Sequence, residues 1–186
     1  MIAVIGAGPA GLSAAVTAAD KGDDVILFDS APSLGGQYWR HLPSNWSDDR
    51  SLHYNFGVAQ KLFDRVINNA KIIRKSKAHI WYAEKIGEQF KLYAVVSGKE
   101  EIFLADKVVL ATGAYDRSLP FPGWTLPGVM TPGAAQAMLK SHGVLVGQKV
   151  VLAGTGPFLL SVASNLIDAG AEIVGMEDLA EQIKGG

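Results

Sequence analysis

The first 29 residues, MIAVIGAGPAGLSAAVTAADKGDDVILFD (Met1–Asp29), decide the fold. An apolar run from Met1 to Ile5 enters the cluster Gly6-Ala7-Gly8-Pro9-Ala10-Gly11, and Leu12 to Lys21 follows in mostly small and apolar residues, with Gly22 placed to stop a helix. Val25 to Phe28 is a second apolar run, closed by Asp29. The pattern predicts strand, tight turn, helix and strand, a βαβ unit with an acid at the end of its second strand. That layout suits a dinucleotide. The first glycine permits the turn, the second lets backbone approach a pyrophosphate, and the helix N-terminus offers N–H groups and a positive dipole end to the anion. Gly6 to Asp29 is 23 residues, close to the roughly 20 expected between the turn and the acid that accepts from a ribose hydroxyl. No arginine directly follows Asp29, which favours a free ribose hydroxyl over a 2'-phosphate.

Ile2 to Ala19 is 18 residues without a charge, a length that invites a membrane or signal reading. Gly6, Gly8, Pro9 and Gly11 interrupt it and no cationic segment precedes it, so no transmembrane segment is expected and the chain is placed in the cytoplasm.

The chain repeats itself. A shift of 148 positions carries Gly6-Ala7-Gly8-Pro9 onto Gly154-Thr155-Gly156-Pro157, Leu12-Ser13 onto Leu160-Ser161, Gly22 onto Gly170 and Asp29 onto Glu177. Gly154 to Glu177 is again 23 residues. Leu159 stands where the third glycine should be, which implies a wider approach of helix to strand. From Gly147 about 40 residues remain, enough for one βαβ unit and short of a whole nucleotide domain. This second turn is either an incomplete dinucleotide site or a truncated half-domain that binds nothing.

Between the repeats, Ser33 to Ser51 is turn-rich, and Gly35-Gly36 reads either as part of a site or as an ordinary turn. Tyr54 to Asn69 carries apolar residues at helical spacing. Lys71 to Leu104 shortens into strands at Ile72-Ile73, Ala78 to Ala83, Phe90 to Val96 and Ile102 to Leu104, read together as an antiparallel meander. Val108 to Ala111 is a further strand leading into Thr112-Gly113-Ala114. Leu119 to Pro132 is rich in Pro and Gly, and Pro132 to His142 forms a helix.

Composition removes whole function classes. The 17 Lys plus Arg against 18 Asp plus Glu leave no cationic footprint for nucleic acid. With no Cys, the chain has no thiol nucleophile, Cys-ligated metal, iron–sulfur cluster or redox disulfide of its own. His41, His53, His79 and His142 lack metal-ligand spacing, so no metal is expected. Trp39, Trp46, Trp81 and Trp124 form no stacking stripe and read as core or loop packing, with Trp39 near enough to Gln37 to approach a bound ring.

Together, Gly6 to Gly11, Asp29, Gly35-Gly36-Gln37, the strand ending Ala111-Thr112-Gly113-Ala114 and the second glycine turn resemble the flavoproteins with two dinucleotide-binding domains. The stretch Ala111 to Arg117 with Phe121-Pro122-Gly123-Trp124 and Leu126-Pro127-Gly128-Val129 is similar to the FAD-bearing alpha subunits of opine oxidases, dye-linked proline dehydrogenases and hydrogen cyanide synthase. The resemblance implies an α/β fold: a Rossmann-like FAD-binding domain over residues 1–117, with a parallel sheet plus antiparallel β-meander and without its C-terminal return segment. A linker and helix over 118–146 and the first βαβ unit of an NAD(P)-type domain over 147–186 would follow. Gly6, Gly8, Pro9, Ala10 and Gly11 would lie against the FAD pyrophosphate, Asp29 on the adenosine ribose, the backbone at Ile80 on adenine, Gly36 and Gln37 on the flavin side, and Thr112 and Gly113 near the phosphates or isoalloxazine. At the second site, Gly154, Gly156 and Glu177 would take NAD(P).

By the same resemblance the chain is part of a hetero-oligomeric dehydrogenase with a second subunit, moving hydride from an amine or amino-acid-like small molecule to flavin, with the iron–sulfur carrier elsewhere. A Cys-free NAD(P)H-dependent flavin reductase and a non-catalytic truncated module are the alternatives. The absence of a late Gly-Asp segment predicts weak or partial flavin retention by the isolated chain.

Overall fold

A computed structural model of the chain describes residues 1–42 and 55–178. Trp46, His53, the later part of the Ser33–Ser51 loop and the Leu179–Gly186 tail lie outside them. The described residues group into two compact units, one of residues 1–40 and 55–113, the other dominated by residues 114–178.

In the first unit the opening segment folds as β1 (Ile2–Ile5), α1 (Pro9–Asp20) and β2 (Val25–Phe28). After α2 (Phe56–Ile67) come β3 (Ile72–Lys75), β4 (Ala78–Ile86), β5 (Gln89–Val96), β6 (Lys99–Ala105) and β7 (Lys107–Leu110). A parallel sheet runs in the order β3-β2-β1-β7 and a separate antiparallel sheet in the order β4-β5-β6.

The central strands read as unbroken apolar runs because both their faces are covered. Val4, Val25 and Leu27 pack toward α1 and α2, against Leu12, Val16, Phe63 and Val66. The alternate residues Ala3, Ile26 and Phe28 face the other way, onto Leu92, Ala94 and Val96 of the antiparallel sheet. Phe28 is fully buried and meets Phe103 edge to face at 4.9 Å between centroids; a ring buried this way contributes roughly 1.5–3 kcal/mol. Helices, parallel sheet and meander thus make three layers.

Two details depart from the sequence reading. Ile72 opens the outer strand of the parallel sheet, opposite Val25, and the meander begins only at Ala78. The reason is α2, which carries the chain back across the sheet so that the next strand runs parallel to β2. Trp81 is also no core residue. A bulge between Ile80 and Tyr82 leaves it without a cross-strand partner and 61% exposed, as bulges re-aim side chains.

In the second unit α3 (Pro132–His142) precedes β8 (Lys149–Gly154), α4 (Phe158–Asp168) and β9 (Glu172–Asp178), with β8 and β9 paired in parallel. Thr131 caps α3, Pro132 occupies its first turn, and Gly143 ends it in the left-handed region at φ 63°, the sequence logic of a well-marked helix. Leu139 of α3 shares a core with Leu152, Val162 and Leu166, and Gln136 donates to Asn165 at 2.9 Å. The helix therefore belongs to the same body as the second βαβ unit.

Candidate functional site

The carboxyl ends of β1, β2 and β7 converge on the first glycine turn, at the place where chain order reverses about β1, the usual ligand position in an open α/β sheet. Gly6 leaves β1 at φ 105°, its N–H donating to the Phe28 carbonyl at 2.8 Å. A Cβ on Gly6 would overlap the carbonyl oxygen of Ala111, which itself follows β7 and donates to Ile5 at 2.8 Å. A Cβ on Gly11 would overlap the Gly6 carbonyl oxygen. Gly6 and Gly11 are thus glycines because α1 and the end of β7 press against the turn.

Gly8 is different. It is the N-cap of α1 in an extended conformation, φ −75° and ψ −176°, which any residue adopts, and a Cβ there would meet nothing nearer than the Gly36 Cα at 3.9 Å. Neither backbone nor packing requires glycine at this position. Among the described residues no side chain caps α1 and its first turn holds no acid, so the N–H groups of that turn are left for a ligand. At α3, by contrast, Thr131 accepts from Ala134 and the Asp116 carboxylate accepts from Gly133 at 2.6 Å.

Gly35 and Gly36 form the second wall. Gly35 donates to the Ala7 carbonyl at 2.8 Å, and Gly36 stands at φ 61° against Gly8. Gln37 follows on the exposed side, while Trp39 turns into the core against Phe63. Asp29 clasps the turn: its carboxylate accepts from the Ala7 N–H at 2.5 Å and from the Ala31 N–H at 2.7 Å. Its backbone carbonyl accepts from Ala78 at 2.8 Å, which brings the start of β4 beside the acid. Ile80, two residues on, packs its half-buried side chain into the core between the two sheets. Thr112 and Gly113 continue exposed from β7, Gly113 at φ 75° with open space around it. Gly6, Gly8, Pro9, Ala10, Asp29, Gly36 and Thr112 therefore lie around one turn, with Gly11 buried beneath it. The touch of Gly36 on Gly8 has no sequence signal, being a contact between residues far apart in the chain.

The second turn is built differently. Gly154 and Gly156 stand at φ 158° and 89°. Leu159 lies over Gly154, its Cδ1 at 3.4 Å from where a Cβ would be, and α4 starts one residue later than the repeat implies, at Phe158, with Pro157 as N-cap. In the first copy Leu12 is buried and its N–H reaches Gly8 at 2.9 Å. Leu160, its counterpart, is 63% exposed and donates to Pro157 at 3.2 Å, a tighter turn. The strand register differs as well. β9 carries one unpaired residue, Val174, between the pairs Val150–Ile173 and Val151–Gly175, and the register then sets Gly154 opposite Asp178, with Glu177 opposite Ala153. Continuing the β1–β2 register by one step sets Gly6 beside Asp29. Asp178, not Glu177, thus holds the ladder position of Asp29.

Among the described residues, no group of three or more His, Asp or Glu could hold a metal, and no helix is long and apolar enough to cross a membrane. The cleft holds glycine backbone, a helix end and one carboxylate, a set that can bind and orient a dinucleotide.

Comparison with known proteins agrees. The chain is 41% identical over 184 residues to an opine oxidase subunit of Agrobacterium tumefaciens (strain Ach5), covering 96% of this chain and 36% of that one. It is 31% identical over 186 residues to hydrogen cyanide synthase subunit HcnB of Pseudomonas protegens, covering 93% and 37%. The crystal structure of L-proline dehydrogenase from P. horikoshii superposes with a TM-score of 0.76 at 27% identity, over 95% of this chain and 34% of that one. The chain thus spans about a third of the length of these relatives. The family model for pyridine nucleotide-disulphide oxidoreductases matches residues 1–184, so this chain belongs to that oxidoreductase family, whose members bind FAD-type dinucleotides.

Proposed function

We propose that this chain is the FAD-binding part of a dehydrogenase subunit that takes hydride from an amine or amino-acid-like substrate, in company with a second subunit. The observation that carries the reading is Gly8. The protein would accept a Cβ there, so the glycine is explained by a ligand that lies against its backbone. The uncapped N-terminus of α1 supplies what a pyrophosphate needs. Gly8, Pro9 and Ala10 would hold the pyrophosphate, Asp29 would take the adenosine ribose through the acceptor capacity left beyond its two backbone bonds, and Gly36, Gln37, Thr112 and Gly113 would line the flavin side. When bound, FAD supplies the hydride acceptor. The residues of this chain bind and orient, and none is assigned a proton transfer.

The substrate class rests on similarity to proteins named for opine oxidase and L-proline dehydrogenase, and the second subunit on relatives named as subunits. An NAD(P)H-dependent flavin reductase is the second reading, favoured by the second glycine turn and the uncapped start of α4. Purification followed by an absorption spectrum and mass analysis of released small molecules tests the cofactor. The expected result is FAD released from the chain, with more bound when FAD is added. A folded chain that binds no added flavin would refute the reading. Anaerobic bleaching of bound flavin by NADH, without amine, would select the second one.

A further inference from the structure

The middle of the outer face of the β4-β5-β6 sheet is apolar, where an antiparallel sheet normally turns polar surface to water. Its central rung is Tyr82–Tyr93–Ile102, with Trp81 thrown onto the same side by the bulge. The three aromatic centroids lie 5.5–6.1 Å apart, and Ile86 and Leu104 extend the apolar surface along the strands. Trp81, Tyr82, Ile86, Ile102 and Leu104 are each more than half exposed, from 51% to 61%. The opposite face of the sheet is buried on the parallel sheet, so this patch serves neither the core nor the glycine cleft.

We propose that this face is the interface between two copies of the chain, related by a two-fold axis along the Tyr82–Tyr93–Ile102 rung. Its area suffices: half-exposed rings and branched chains of this size offer on the order of 500 Å² per copy, hence about 1,000 Å² between two, the lower bound for a specific interface. Its charges match as well. The rung on one side of the axis is Glu84–Lys91–Leu104, and that on the other is His79–Val95–Glu100. The two-fold lays each over the other: Glu84 faces the His79 ring N–H of the second copy, Leu104 faces its Glu100, and Lys91 lies one strand to the side of that Glu100, an opposite charge. Lys91 already lies over the Tyr93 ring at 4.9 Å, and Glu84 accepts from the Tyr93 hydroxyl at 2.6 Å, so both charges are held at the edge of the patch. Net charge −1 per chain leaves no general repulsion between copies.

Light scattering and sedimentation of the full chain over a wide concentration range test this directly. The expected result is a reversible dimer. Trp81→Glu and Ile102→Glu, each at an exposed position, should raise the dissociation constant by about thirtyfold or more with unchanged far-UV circular dichroism. Lys91→Glu and Glu100→Lys should each weaken the dimer and restore it when combined. A monomeric wild-type chain would overturn the proposal and leave the face to another polypeptide. Association untouched by both Trp81→Glu and Ile102→Glu would overturn it too.

Discussion

Gly36 and Gly8 touch asymmetrically. A Cβ on Gly36 would come to 2.8 Å from the Gly8 Cα, whereas a Cβ on Gly8 would find the Gly36 Cα at 3.9 Å. One glycine is required by its neighbour and the other is not. Gly36→Ala should therefore destabilise the fold by about 1–3 kcal/mol, because φ 61° and backbone contact both oppose a side chain. Gly8→Ala should change stability by less than about 1 kcal/mol and still weaken FAD binding. Denaturant unfolding and flavin fluorescence titration on both variants measure the two effects separately; unchanged flavin affinity in Gly8→Ala would contradict the site.

Gly11→Ala puts its new methyl into the Gly6 carbonyl oxygen, with the Ala111 Cβ 3.3 Å away on the other side. Since α1 cannot withdraw without uncovering Leu12, Ala15 and Val16, the loss should be about 3 kcal/mol, read as a lowered urea midpoint. The equivalent second-copy change, Leu159→Ala, should act through a lost buried side chain instead and cost about 2–5 kcal/mol in the second unit.

Asp29 holds the Ala7 and Ala31 N–H groups at once. Asp29→Asn keeps one acceptor oxygen and aims an NH2 group at the other donor, so it should cost about 1–3 kcal/mol. Thermal unfolding of the flavin-free chain would register this without reference to any ligand.

Asp106 gives a pH signature. Gln89 donates to it at 2.8 Å and the Met1 amine pairs with it at 2.5 Å, and these hold its carboxyl below the ordinary range. A carboxyl depressed by folding adds stability that is fully present above its unfolded pKa and is lost as pH falls through the lower folded value. Asp106→Asn should thus unfold slightly earlier than wild type at neutral pH, with the gap closing in acid. The pair is exposed, so added salt should shrink the gap as well.

Much of this architecture was legible because local signals agreed. Val25 to Phe28 predicted a buried strand, Pro132 to His142 predicted the helix found as α3, and the glycine turn with Asp29 predicted the first βαβ unit. What escaped depends on pairing between distant segments. Nothing near Ile72 distinguishes a parallel edge strand from a meander strand; α2 settles it. Trp81 looks like core until a bulge turns it outward. The register of β9 was hidden for the same reason: the repeat without gaps sets Glu177 level with Asp29, and an extra residue in a strand leaves no mark on composition.

That extra residue has a consequence for design by alignment. A ligand meets rungs of a ladder, whereas a motif counts residues, and along β9 the two counts differ by one at Val174. Deleting Val174 would shorten Gly154 to Asp178 to the 23 residues separating Gly6 from Asp29, yet leave Asp178 on its present rung. A chimera that moves the first turn into the second unit should therefore be joined by rung, with Gly6 to Asp29 laid on the rungs of Gly154 to Asp178.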